Sequence, residues 1–175
     1  MNDFLSDFSD MQDGFERLWT PHRLVYLREH QQPADEDCPF CAAPKKSPED
    51  GLVVRQGKTC FVLLNLFPYN PGHLLVCPYR HFDTYDKATE EEVAEMGLLT
   101  QQAMKTLASV SKVHGFNLGM NQGEVAGAGI ASHLHQHIVP RWRNDSNFFP
   151  IIAQTKAMPI LLGQMQQTLV SNWVS

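Results

Sequence analysis

The chain has 175 residues, with 14 Lys or Arg against 19 Asp or Glu, which gives a formal net charge of −5 at pH 7. This mild acidity argues against a nucleic-acid partner, because binding a phosphate backbone needs a concentration of basic side chains. The composition is 43% hydrophobic and 10% aromatic, so we expect a single folded domain over residues 1–175. The apolar runs are shorter than the roughly 20 residues of a membrane span, and the first residues are acidic. We therefore expect neither a membrane segment nor a signal peptide.

The chain contains four cysteines, an even number that would suit two disulfides in a secreted protein: Cys38, Cys41, Cys60 and Cys77. Because nothing in the sequence suggests export, we expect a cytoplasmic protein with reduced thiols. Cys60 and Cys77 lie within apolar runs, and we expect both to be buried as small hydrophobic residues.

The elements in chain order predict an α+β fold. Residues 15–27 combine a short helical pattern with an extended LVYL segment, and a polar, Pro-rich loop follows over residues 29–50. The segment LVVRQGKTCFVLLN predicts a hairpin that turns at QGK, and HLLVCP predicts a third strand.

The segment from Thr89 to Gly115 predicts one long helix. Thr89 and Glu92 have the spacing of a capping box, and Gly115 is expected to end the helix. Its expected buried face consists of Val93, Met96, Leu99, Ala103, Leu107 and Val110. FNLGMN then predicts a strand, NQGEVAGAGIAS a glycine-rich loop, and SHLHQHIVPRW another strand, before a helical tail that reaches Trp173. This order of elements favours a mostly antiparallel sheet.

Three of the eight histidines alternate with other residues at His133, His135 and His137. In a strand this spacing points the three imidazoles out of one face, with successive Cα atoms about 6.6–7 Å apart. Such a row can address one ligand, or a metal and a ligand together. The alternatives are a chance cluster and a metal site in an ordinary β-protein.

The loop before these histidines is rich in glycine. Gly123, Gly127 and Gly129 permit backbone amides to turn toward an anion, and Asn121 and Ser132 add side-chain hydrogen bonds. A phosphate cradle beside imidazoles favours phosphoryl chemistry. The alternative is a glycine-rich turn without a ligand.

Together these motifs resemble the histidine triad (HIT) nucleotide hydrolases and transferases. The resemblance rests on H-x-H-x-H followed by two apolar residues and Pro-Arg, and on NPGHLLVCPYRH, the capped helix, FNLGMN and NQGEVAG in the same order. It covers a core of about residues 38–141. The flanks LWTPHRLVYL and HLHQHIVPRWRNDSNFFP are more similar to the diadenosine tetraphosphate phosphorylase branch than to the short hydrolase branches of the family. The sequence departs from that pattern in one extra residue at AGIAS and in His22-Arg23 at the place of Trp-Arg.

The resemblance implies a HIT-like fold, a homodimer or higher homo-oligomer, and a two-step nucleotidyl transfer. His135 would be the nucleophile, His137 would donate to a phosphate oxygen, and His133 completes the catalytic triad. A neutral imidazole is a good nucleophile and, once phosphorylated, a good leaving group. The implied nucleotide contacts, from base and ribose to phosphates, are Asn65, Leu66, Phe67, Asn121, Gly127, Gly129, Ser132 and Gln136.

The implied reaction converts diadenosine tetraphosphate and inorganic phosphate to ATP and ADP, with adenine dinucleotides and phosphate as partners and no organic cofactor. Backbone amides of AGAGIAS, Ser132, Arg141 and Arg143 are expected to hold the acceptor phosphate. The alternatives are a HIT hydrolase of dinucleotides or nucleoside phosphoramidates, a nucleotide-binding module without turnover, and a zinc-dependent interaction protein.

Cys38 and Cys41 form a C-x-x-C pair, which is half of a tetrahedral zinc site. A redox disulfide and two unligated thiols are the alternatives. Resemblance to zinc-bearing members nominates His81 and His133 as the other ligands, and four protein ligands would make the zinc structural. His73 and a histidine at the end of the long helix, His114, are expected to be structural.

Overall fold

The computed structural model of the chain describes residues 37–143, 145 and 158–174. The helix and the extended segment expected within residues 15–27 lie outside these residues, as does His22. The strands are β1 (Val53–Gln56), β2 (Cys60–Leu64), β3 (Leu74–Pro78), β4 (Gly115–Gly119) and β5 (Gln136–Arg141). The α-helices are α1 (Pro39–Ala42), α2 (Pro48–Gly51), α3 (Glu90–Ser111) and α4 (Leu162–Ser171), with 3₁₀ turns at Ala43–Lys45, Tyr85–Lys87 and Glu124–Ala126.

The five strands form one antiparallel sheet in the order β1-β2-β3-β5-β4. The predicted hairpin, the antiparallel sheet, the long helix and the helical tail are confirmed. The predicted strand through all three triad histidines is wrong in its start, because β5 begins at Gln136. His133 and His135 precede it, because the backbone N–H of Leu134 donates to the carbonyl of Phe82, at 2.6 Å, and not to β3.

The long helix α3 begins with the predicted capping box of Thr89 and Glu92. Two details of its prediction are wrong. Val93 is 37% exposed, and Glu92 is buried beside it because its carboxylate accepts hydrogen bonds from Arg80 at 2.7 and 2.8 Å. The helix ends at Ser111 rather than at Gly115, because Lys112 adopts the left-handed conformation that closes a helix.

The two faces of the sheet differ in what covers them. One face, which we call the helix-covered face, packs against α3 and α4 in a core that includes Cys60, Val62 and Ile138. The other, which we call the open face, carries a smaller cluster in which Leu63, Leu75 and Cys77 pack against the α1 segment. Cys60 and Cys77 are buried as predicted, and burial raises the pKa of the Cys60 thiol to about 11. Among the described helices, none has the length and apolarity needed to cross a bilayer.

Candidate active site

His135 lies on the open face with its imidazole held in one tautomer. Its Nδ1 donates to the carbonyl oxygen of His133 at 2.8 Å, so the proton sits on Nδ1 and the lone pair on Nε2. The side chain is 5% exposed, and this burial lowers the pKa of His135. A neutral imidazole with a free Nε2 lone pair is the form that acts as a nucleophile.

His137 is held in the opposite sense by a relay of hydrogen bonds. The backbone N–H of Tyr69 donates to Nδ1 of His73 at 3.0 Å, which places the His73 proton on Nε2. That Nε2 donates to Nδ1 of His137 at 2.9 Å. Burial lowers the pKa of His137 to about 4, so the ring is neutral at pH 7 and its proton is on Nε2. Within the described residues, this buried Nε2 has no hydrogen-bond partner.

His73 therefore has a larger role than the structural one expected for it. Its side chain is fully buried, and its ring packs 4.7 Å from that of Tyr69 and 5.1 Å from that of His137. The sequence shows only that His73 lies two residues before Leu75, on the same face of an extended chain, while the register that sets Leu75 opposite His137 is seen in the structure. Sequence reasoning missed this because strand register is a tertiary property.

Of the residues predicted to contact the phosphates, the structure brings Asn121 into one cavity with His137. The hydroxyl of Ser132 is buried without a partner in the described part of the chain, as is His137 Nε2. Gly127 has φ of 80°, a conformation that favours glycine. Gly129 is exposed within the same loop. Asn121 and His137 line one cavity of about 410 Å³.

The residues predicted to contact the ribose and the base, Asn65, Leu66 and Phe67, lie in the loop between β2 and β3. Asn65 accepts the backbone N–H of Phe67 on Oδ1 at 2.9 Å, and its Nδ2 lies 3.3 Å from Nδ1 of His73. Leu66 and Phe67 are 60% and 70% exposed, which leaves apolar surface free for a base. These residues therefore connect to the triad through His73.

Gln136 is the predicted contact that the structure places elsewhere. Its side chain donates to the hydroxyl of Thr100 on α3 at 2.9 Å. Adjacent residues of a strand point to opposite faces, so Gln136 faces the helix while His137 faces the open side. Among the described residues, Gln136 takes no part in the group around His137.

The four predicted metal ligands meet in one cluster, defined by Cys38, Cys41, His81 and His133, and their ligand atoms all lie within 4.8 Å of one another. Three sulfur-to-Nδ1 distances are 3.3–3.4 Å. Zinc bonds of about 2.3 Å to sulfur and 2.0–2.1 Å to nitrogen, in a tetrahedron, separate neighbouring ligands by roughly 3.3–3.8 Å. This cluster therefore has the donors and the spacing to bind a metal ion.

His133 is prepared for such a role by its surroundings. Its Nε2 donates to the carbonyl of Pro78 at 3.0 Å, which leaves Nδ1 unprotonated toward the two cysteines. Burial lowers the pKa of His133 to about 4, so the ring is neutral. Phe40, inside the C-x-x-C turn, packs its ring 5.6 Å from His133 and 4.9 Å from His135. The Cys/His cluster and His135 thus share one packed unit.

The two arginines expected at the phosphate pocket lie in different places. Arg141 lines the cavity beside His137 and pairs with Asp145. The backbone N–H of Arg143 donates to Nδ1 of His114 at 3.1 Å, so His114 holds the chain after β5, in agreement with a structural role.

The chain is similar to known proteins in sequence and in fold. Residues 47–144 match the HIT domain family. The chain is 44% identical over 168 residues to an AP-4-A phosphorylase of Mycobacterium tuberculosis, covering 93% of this chain and 86% of the relative. A Zn-bound histidine triad family protein from Mycobacterium smegmatis has a TM-score of 0.64 at 23% identity, covering 79% of this chain and 94% of that one. A hypothetical histidine triad nucleotide-binding protein from Sulfolobus tokodaii has a TM-score of 0.63 at 25% identity, covering 77% and 91%.

Proposed function

Because the chain belongs to the HIT domain family, we propose that it is an enzyme that cleaves dinucleoside polyphosphates, converting diadenosine tetraphosphate and inorganic phosphate to ATP and ADP. The observation that carries the proposal is the pair of oppositely protonated rings. His135 presents a lone pair on Nε2, and His137 presents an N–H without a partner in the described part of the chain, with ring centroids 4.9 Å apart. The relative named AP-4-A phosphorylase supports phosphate as the acceptor.

In the first step, Nε2 of His135 attacks the α-phosphorus. A nitrogen–phosphorus bond forms, the bond from that phosphorus to the bridging oxygen breaks, and ATP leaves with the electron pair. In the second step, an oxygen of inorganic phosphate attacks the same phosphorus, the nitrogen–phosphorus bond breaks, and ADP leaves. Splitting one displacement into two lets a neutral imidazole serve first as nucleophile and then as leaving group.

Charge that builds on the phosphate oxygens would be stabilised by groups already in place. The Nε2–H of His137 and the hydroxyl of Ser132 are buried donors without partners in the described residues, and Asn121 lies beside His137 in the cavity. Donors fixed before the reaction need no reorganisation as charge develops. The Tyr69–His73–His137 relay keeps the donating proton on Nε2.

We propose zinc as the metal of the Cys/His cluster. Two thiolates and two imidazole nitrogens are a donor set of structural zinc sites, and four protein ligands leave no open coordination position. When bound, zinc would supply cross-linking and no reaction chemistry. Cys38 and Cys41 would hold the α1 turn against His81 and against His133, whose carbonyl fixes the nucleophile.

We also propose a homodimer in a reducing, cytoplasmic compartment. β4 is an edge strand of the five-stranded sheet and exposes Leu118 at 48%, which suits pairing with a second copy. All four cysteines are free thiols, and thiols persist in the cytoplasm.

The experiment is incubation with diadenosine tetraphosphate, with and without millimolar phosphate, followed by chromatography of the products. We expect ATP and ADP with phosphate, and slow formation of AMP without it. If AMP and ATP dominate even with phosphate, the enzyme is a hydrolase. If nucleotide stabilises the fold but is not cleaved, the protein is a binding module.

A further inference from the structure

We propose that the cavity beside His137 is the subsite for the leaving polyphosphate of the dinucleotide, with Arg141 as the residue that binds its distal phosphates. This inference rests on the proposed function, because a polyphosphate leaves only if His135 attacks a dinucleoside polyphosphate. It concerns the half of the substrate that is not transferred to the enzyme.

The cavity lies on the open face toward the β4 edge of the sheet. It measures about 410 Å³, and its polar lining includes His137, Arg141 and the side-chain amides of Asn117 and Asn121. Asn70 also lines it, but its Nδ2 already donates to Asp145 and to the carbonyl of Pro140. Amides and guanidinium groups provide N–H donors, which suit phosphate oxygens. In the proposed reaction His137 faces the attacked phosphate, so the group that leaves this phosphate enters the space that His137 lines.

Arg141 is held so that part of its guanidinium remains available. Its Nε and Nη2 donate to Asp145 at 2.5 and 2.9 Å, and its Nη1 donates to Oδ1 of Asn117 at 2.7 Å. A guanidinium carries five N–H groups. The three bonds made with described residues therefore leave two N–H groups for a ligand, on a side chain that is 44% exposed.

Asp145 orients this guanidinium and is itself the less exposed member of the pair. Its side chain is only 12% exposed, and its carboxylate also accepts from Nδ2 of Asn70 at 2.9 Å and from the backbone N–H of Trp142 at 3.2 Å. The hydrogen bond from Arg141, with these donors, holds the pKa of Asp145 well below its usual range. The carboxylate is thus the less exposed partner, and its two hydrogen bonds hold the planar guanidinium in one orientation.

The distance along β5 determines which phosphates Arg141 can reach. His137 and Arg141 lie on the same face, four residues and about 13 Å apart between Cα atoms. This spacing removes Arg141 from the transferred phosphorus and places it near phosphates further along the chain. It revises the expectation that Arg141 holds the acceptor phosphate against His135. The effect of Arg141 should therefore depend on the leaving group.

The test compares two substrates that share the transferred adenylyl group. Diadenosine tetraphosphate has a polyphosphate leaving group, whereas adenosine 5′-phosphoramidate loses ammonia. We expect Arg141→Gln to lower kcat/KM for the tetraphosphate by about 10- to 100-fold, the size of a lost charge-assisted phosphate contact, and to change kcat/KM for the phosphoramidate by less than about twofold. The matched control is Arg55→Gln, which removes the same charge from an exposed site on β1.

Equal losses on both substrates would show a general structural role, and no loss on either would also overturn the proposal. Should Arg141→Gln fold poorly because it leaves Asp145 unpaired, the double variant Arg141→Gln/Asp145→Asn removes both charges, and the same ratio of substrates decides. The wild-type products judge the proposed function separately. If the wild type forms AMP in place of ADP, phosphorolysis fails while the substrate ratio still tests the subsite. If it cleaves no tetraphosphate, both proposals fail.

Discussion

The two faces of the sheet differ in whether all their buried polar groups are hydrogen-bonded within the protein. On the helix-covered face Glu92 accepts from Arg80 and Gln136 donates to Thr100. Within the described residues, Ser132 Oγ and His137 Nε2 are the two buried side-chain atoms without a partner, and His137 lies on the open face. A buried unsatisfied group costs about 1–3 kcal/mol, so a fold keeps one where a ligand will satisfy it. The polar groups named on the first face are satisfied within the protein, whereas under the proposed function Ser132 Oγ and His137 Nε2 would be satisfied by the substrate.

The largest expected effect is at the nucleophile. His135→Ala should reduce turnover of diadenosine tetraphosphate by about 10³-fold or more, because the covalent route is lost, while the melting temperature stays close to that of the wild type. Activity and circular dichroism measured on one preparation would check both. Activity within about tenfold of the wild type, a change below roughly 1.4 kcal/mol in the barrier, would show that the covalent mechanism is wrong.

Disrupting the Cys/His cluster should lower the stability of the fold and, indirectly, the activity. We expect close to one zinc per chain in protein never exposed to chelator, and loss of that zinc in Cys38→Ser and in His81→Ala, each with a lower melting temperature. Turnover should fall as well, because Phe40 and His133 both contact His135. Elemental analysis decides the point, and Cys60→Ser, outside the cluster, serves as the control that keeps its metal. Wild-type protein without metal would contradict the zinc proposal.

The free energy of unfolding should depend on pH through His137 on the open face. The pKa of His137 is about 4 in the folded protein against about 6.5 when unfolded. The unfolded chain therefore binds this proton first, so the stability is full above pH 6.5 and is lost as the pH falls toward 4, by up to about 1.4 kcal/mol per pH unit. Denaturant titrations at several pH values should show a flatter slope for His137→Phe. An unchanged slope would mean that His137 is not neutral in the native state.

The smallest effect is expected on the helix-covered face. Glu92→Gln should cost about 1–2 kcal/mol of unfolding free energy, because an amide cannot accept all the hydrogen bonds that reach this carboxylate. kcat should stay unchanged. Glu91→Gln, one residue earlier and exposed, should leave the stability within about 0.5 kcal/mol of the wild type. A drop in kcat for Glu92→Gln would break the distinction between the two faces.

Local signals predicted the elements, while long-range contacts determined the details that the sequence did not reveal. The capping box at Thr89 and the QGK turn are readable because their interactions span a few residues. The burial of Glu92 depends on Arg80, twelve residues away, and the role of His73 on a histidine 64 residues away. The HIT motif predicted the triad, but strand alternation in the structure placed the Gln136 side chain on the far side of the sheet.

His133 contributes to two systems through different atoms. Its imidazole belongs to the Cys/His cluster proposed to bind zinc, whereas its main-chain carbonyl accepts the Nδ1 proton of His135. Any residue provides that carbonyl, so the two contributions are separable by redesign. A variant in which the four ligands are replaced together by apolar residues of matching volume could dispense with metal and still hold the nucleophile in its tautomer, provided the new packing reproduces the path of the chain. Metal would then be needed only to cross-link the segments that carry the four ligands, and not for the reaction.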